Sequence, residues 1–99
     1  MEVECIQQVD EGGQDNDDYF YAYEIYKFTI DGQTLVARSY CTEPKEAHFL
    51  RIERNKKSLS LTTQDLESNL MHQAKEHLKN LGKTKLEWLN SKGDGYLRL

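Results

Sequence analysis

A chain of 99 residues, 37% of them apolar, is sized for one domain with one modest core. A charged fraction of 30% and a single proline exclude collagen-like, linker-like and low-complexity classes. A net charge of −4 argues against a general nucleic-acid binder, and no apolar run approaches the ~18 residues of a membrane span.

No basic and apolar leader follows Met1, and position 2 is Glu2 rather than a lipidated glycine, so a cytoplasmic location is expected, with no membrane partner. The charge is segregated. Residues 1–31 carry nine acidic side chains and one lysine, a balance of −8, whereas residues 32–99 carry eight acidic and twelve basic ones, a balance of +4. A polarised surface of this kind steers charged partners.

The first predicted strand runs from Val3 to Val9, with Val3, Cys5 and Val9 on one face and Ile6 on the other. Asp10 to Asp18 reads as a polar loop with five carboxylates and no cation. It lacks the ligand spacing of a calcium loop, so no metal is assigned there. Cys5 and Cys41 belong to no metal-ligand or redox pattern and are expected to behave as small buried hydrophobes.

The second strand holds four of the six tyrosines and two of the three phenylalanines, between Tyr19 and Ile30. Asp31-Gly32 closes it, the dipeptide of a tight two-residue hairpin. Counting back from that turn pairs Ile30 with Gln33, Phe28 with Leu35, Tyr26 with Ala37, Glu24 with Ser39 and Ala22 with Cys41. This face is predicted to enter the core. The opposite face pairs Thr29 with Thr34, Lys27 with Val36, Ile25 with Arg38 and Tyr23 with Tyr40, with Tyr21 beyond. Glu24 is the anomaly on the core face. It needs either a partner there or, as the cheaper expectation, a β-bulge that turns it outward.

Pro44 sits in a connection between strands. A fourth strand from Ala47 to Arg54 is predicted with His48, Leu50 and Ile52 on one face, then an Asn55-Lys56-Lys57 turn and a fifth strand from Ser58 to Leu61. Leu59 and Leu61 are expected on the apolar side of that strand. Leu66, Leu70, Ala74, Leu78 and Leu81 form a helical stripe, capped by threonine and Asp65 and stopped at Gly82, which predicts one helix over about residues 64–81. Lys83 is expected to complement the negative end of that helix. Leu86 and Trp88 alternate with charged residues in a strand after the helix, and Tyr96 to Leu99 reads as a closing strand or tail. The predicted class is α+β: an antiparallel meander of five to seven strands covered on one face by a single helix, without β-α-β alternation.

No catalytic signature emerges. His72, Glu76 and His77 resemble zinc-protease spacing only superficially, since the histidines lie about 140° apart around a helix and cannot share one ion. His77 falls within the leucine stripe and is expected to be partly buried. Cys41 with His48 is the only imaginable nucleophile and base, and it lacks a third member. No cofactor is expected, and no metal ligands are assigned.

The function read from these residues is a small non-catalytic protein-binding or regulatory module. It would use Tyr21, Tyr23, Lys27, Arg38 and Tyr40 on the outward hairpin face to meet a protein partner or a second copy. The acidic segment would steer a basic partner. One alternative is a small-ligand or enzymatic site between helix and sheet that uses Glu24, Cys41, His48 and His77. Another is single-stranded nucleic-acid binding through the tyrosines and the Arg51, Arg54, Lys56 and Lys57 tip, which the acidic balance and a pI near 5.3 oppose.

Overall fold

A computed structural model describes residues 1–13, 19–90 and 95–99. Strands β1 (Glu2–Gly12), β2 (Tyr19–Ile30), β3 (Gln33–Tyr40) and β4 (Glu46–Arg54) form an antiparallel meander. Strand β5 (Lys57–Leu59), helices α1 (Thr63–Leu66) and α2 (Asn69–Asn80), and strands β6 (Lys85–Asn90) and β7 (Gly95–Arg98) complete an α+β fold. The spatial order is β1-β2-β3-β4-β6-β7, with β5 also paired to β4.

The β2–β3 hairpin has the predicted register, from Ile30 opposite Gln33 to Tyr23 opposite Tyr40. Asp31 and Gly32 both take positive φ, 50° and 77°, the geometry whose twist matches a two-residue hairpin. Asn55 and Lys56 repeat the device at 51° and 64°, so the turn into β5 is one residue shorter than predicted.

No bulge occurs at Glu24. The β1–β2 ladder runs unbroken from Glu2 opposite Thr29 to Gly12 opposite Tyr19, and β2–β3 pairs through Glu24. Glu24 stays on the core side at the sheet margin and finds partners there: Cys5 Sγ at 3.4 Å and Lys83 Nζ at 3.7 Å. Lys83 is itself buried; its ammonium donates to the Pro44 carbonyl at 3.0 Å and clamps the β3–β4 turn, while only its backbone N–H, donating to the Leu78 carbonyl at 2.9 Å, closes the end of α2.

The bulge lies elsewhere. Between Val36 and Ala37 the β3–β4 register shifts, because Val36 faces Arg51 while Ala37 faces Phe49, leaving Leu50 as the extra residue. This overturns the predicted His48, Leu50 and Ile52 face. Phe49 and Ile52 enter the core, and His48 projects from the opposite side, opposite Arg38.

The single predicted helix is two. Thr62 caps α1 in a reciprocal box with Asp65, and Ser68 caps α2 by accepting the Met71 N–H at 3.1 Å. The Ser68 hydroxyl also donates to the Asp65 carbonyl at 2.7 Å, so one side chain ends α1 and begins α2. Leu70, Met71, Ala74 and Leu78 of α2 are buried against Phe28, Leu35 and Phe49 in one cluster. The three large side chains among these four contribute about 5–9 kcal/mol. Met71 was missing from the predicted stripe, and Leu81, predicted in it, is 53% exposed at the helix end. Gly82, at φ 90°, ends the helix as expected.

The two helices carry the chain over the sheet so that β6 pairs β4 in parallel, Phe49 beside Trp88. The predicted antiparallel sheet is present, and this one pair is its parallel exception. Leu86 and Trp88 face the core as predicted, Leu61 is buried, and Leu59 is exposed at the edge. Cys5 and Cys41 are free and exposed rather than buried, because β1 is an edge strand beyond the helix and Cys41 lies in the turn after β3. Asp10 and Glu11 extend β1 instead of opening a loop, and the remainder of the acidic segment, residues 14–18, lies outside the described residues. Among the described residues no helix is long and apolar enough to cross a membrane.

Candidate functional site on the open sheet face

Both helices pack on the side of Tyr26, Phe28 and Ile52; among the described residues none covers the other face. Strand alternation and register build that face. One transverse row crosses six strands: Ile6, Ile25, Arg38, His48, Glu87 and Arg98. The neighbouring row brings Gln8, Tyr23 and Tyr40 together, with Tyr21 next along β2.

The tyrosines form a cluster. Tyr40 lies 5.7 Å from Tyr23 edge-on and 6.1 Å from Tyr21, ring centre to ring centre. The Arg38 guanidinium sits 4.9 Å from the Tyr40 ring centre, within cation–π range. Tyr23 donates its hydroxyl to Asp10 at 2.9 Å, and that bond raises the Tyr23 pKa above its ordinary value. Four of the five predicted residues, Tyr21, Tyr23, Arg38 and Tyr40, thus make one continuous surface. Lys27 shares the face but stands apart, beside Val36 in a shallow groove with Glu2, Glu4, Thr29, Thr34 and Glu53.

Arg38 continues the surface in the other direction. Its Nη2 donates to the Tyr96 hydroxyl at 2.8 Å, and the Tyr96 ring lies tilted against His48 with ring centres 4.5 Å apart. His48 Nε2 is 3.0 Å from Glu87 and 3.4 Å from Glu46, and Lys85 Nζ is 3.2 Å from Glu46. Burial alone would raise the Glu46 pKa, but hydrogen bonds from Glu43 and Lys85 outweigh it and lower it. Glu43 is correspondingly raised by sharing that hydrogen bond with Glu46. Arg38 Nε and His48 Nδ1 are buried without a hydrogen-bond partner among the described residues.

His48, Tyr96, Glu46 and Glu87 were absent from the predicted interface. Only the alternation Glu46-x-His48 carried a signal, and the bulge at Leu50 decides which face it serves. The alternative site between helix and sheet does not assemble. His77 is half-buried against Phe28 under the helix, as expected, at 5.7 Å, whereas His48 projects from the far side of the sheet and Cys41 is exposed in a turn. The basic tip is partly neutralised, since Arg54 binds the buried Asp65 and Arg51 lies 3.6 Å from Glu53. No known family model, curated protein or solved structure matches the chain.

Proposed function

We propose that the chain is a non-catalytic protein-binding module that docks a basic partner on the tyrosine end of its open sheet face. The observation that carries this reading is the Tyr21, Tyr23, Tyr40 and Arg38 cluster on a face that no described helix covers, with Tyr21 54% exposed. Tyrosine and arginine supply apolar area with a polar handle, and rigid aromatic pairs lose little entropy on binding. Charge names the partner's sign. Asp10, Glu4 and Glu2 of β1 flank the cluster or its adjoining groove, in a segment whose balance is −8.

Amide-shift titration with a panel of lysine- and arginine-rich peptides tests the reading. The shifts are expected on residues 21–25 and 38–40 and on Asp10. The double variant Tyr23→Ser, Tyr40→Ser should lose them while still unfolding cooperatively. Shifts confined to the surroundings of His77, or no shifts at millimolar peptide, would refute it. Loss of cooperative unfolding in the double variant would show that the tyrosines serve the fold rather than a partner.

A further inference from the structure

The opposite end of the same face carries a second, chemically different arrangement. Glu46 and His48 alternate on β4 and so project on one side, and Glu87 of β6 sits directly beside His48 in the parallel ladder. Their nearest ligand atoms, two carboxylate oxygens and His48 Nε2, all lie within 4.8 Å of one another. We propose that Glu46, His48 and Glu87 bind a divalent transition cation of the zinc type.

Two features of the geometry support a cation. An imidazole Nε2 carries at most one proton and can direct it at one acceptor, yet two carboxylates converge on it, at 3.0 and 3.4 Å. Ligand bonds of 2.0–2.2 Å around a tetrahedral ion place ligand atoms roughly 3.3–3.6 Å apart; Glu46 already stands at that spacing from His48, and Glu87 is a few tenths of an ångström closer. A small inward or outward movement of the carboxylates thus converts a crowded hydrogen bond into a coordination triangle.

The ring is held for this task. Its side chain is only 10% exposed, the Tyr96 ring packs on it at a tilt of 31°, and Arg38 fixes Tyr96 by its hydroxyl. The two carboxylates are 18% and 19% exposed, which leaves a solvent-facing position for water as a fourth ligand.

The donor set selects the ion. One imidazole and two carboxylates suit zinc or manganese, whereas calcium prefers oxygen ligands alone and copper(I) prefers sulfur. Two features restrain affinity. Lys85 Nζ already occupies one side of Glu46, and among the described residues His48 Nδ1 lacks the outer partner that usually orients a metal-bound histidine. Such missing outer partners cost about 10- to 100-fold, so micromolar rather than nanomolar binding is expected.

The test is calorimetric titration of the chelator-treated full chain with zinc chloride, paired with long-range proton–nitrogen spectra of the histidine rings. One equivalent should bind, with the His48 Nε2 resonance moving to a metal-bound position while those of His72 and His77 stay in place. Glu87→Gln, which keeps the side-chain shape, should weaken binding at least tenfold. Saturating zinc that leaves the His48 nitrogens unmoved overturns the site. So does equal affinity in Glu87→Gln, which would place the ion on the carboxylates elsewhere, or the absence of binding up to millimolar zinc.

Discussion

Asp65→Asn removes a charge and little volume from the junction where the helices meet the sheet. The carboxylate is 5% exposed and accepts the Thr62 N–H at 2.8 Å, the Thr62 hydroxyl at 3.0 Å and the Arg54 guanidinium. A hydrogen bond to a charged group contributes about 1.5–3 kcal/mol. Arg54 is about one-third exposed and can solvate its freed charge, and asparagine still accepts from Thr62, so the lower half of that range applies. The expected loss is about 2 kcal/mol, or about 8–16 °C in melting temperature for a chain of this size. The loss also depends on pH. Burial on its own would raise the Asp65 pKa, but the Thr62 N–H, the Arg54 guanidinium and the Thr62 hydroxyl together hold it below the ordinary carboxylate value. A depressed native pKa adds stability that is complete above the unfolded value, about 3.9, and lost as pH falls through the native one. Urea denaturation followed by circular dichroism from pH 7 to 2.5 should show the gap between parent and Asp65→Asn narrowing below about pH 4. A gap under about 0.5 kcal/mol at pH 7, or one that stays constant into acid, would refute the reasoning.

Gly32→Ala should cost about 1–2 kcal/mol through backbone strain alone, because φ is 77° and nothing lies within 4 Å of the added carbon. Denaturant titration should show a lower midpoint with an unchanged slope, whereas a changed slope would mean a rearranged hairpin. Burial first, then the hydrogen bond and charge of Glu24, raises the Cys5 pKa. At pH 7.5 iodoacetamide should therefore alkylate Cys5 more slowly in the parent than in Glu24→Gln, read by mass spectrometry, and equal rates would contradict the Cys5–Glu24 contact.

What could be read from sequence was whatever a local turn fixes. Asp31-Gly32 dictates the register of the eight residues from Tyr23 to Ile30, and with it the tyrosine cluster on the open face, because a positive-φ pair admits one hairpin geometry. Features that depend on a distant partner were not legible. The Leu50 bulge exists only relative to β3, and it alone sends His48 to the open face. The helix break escaped the periodicity because Leu66 and Leu70 keep a helical spacing across it, while Ser68 ends one segment and starts the next by hydrogen bonds of its own. Glu24 was read as too costly to leave inward, since its cation, Lys83, arrives from the far side of α2.

The two strands that share one edge of β4 impose an order on folding. β5 reaches its place through a two-residue turn, next to Arg54, whereas Trp88 lies 39 positions along the chain from its partner Phe49. Closing a longer loop costs more entropy before any contact offsets it, so the meander from β1 to β5 is set to zip first and β6 to dock late. Glu87 and Tyr96 travel with that late segment. The tyrosine cluster is consequently an early product of folding. The Arg38–Tyr96–His48–Glu87 array forms only when the chain has finished, which makes the His48 environment a natural spectroscopic reporter of the last step.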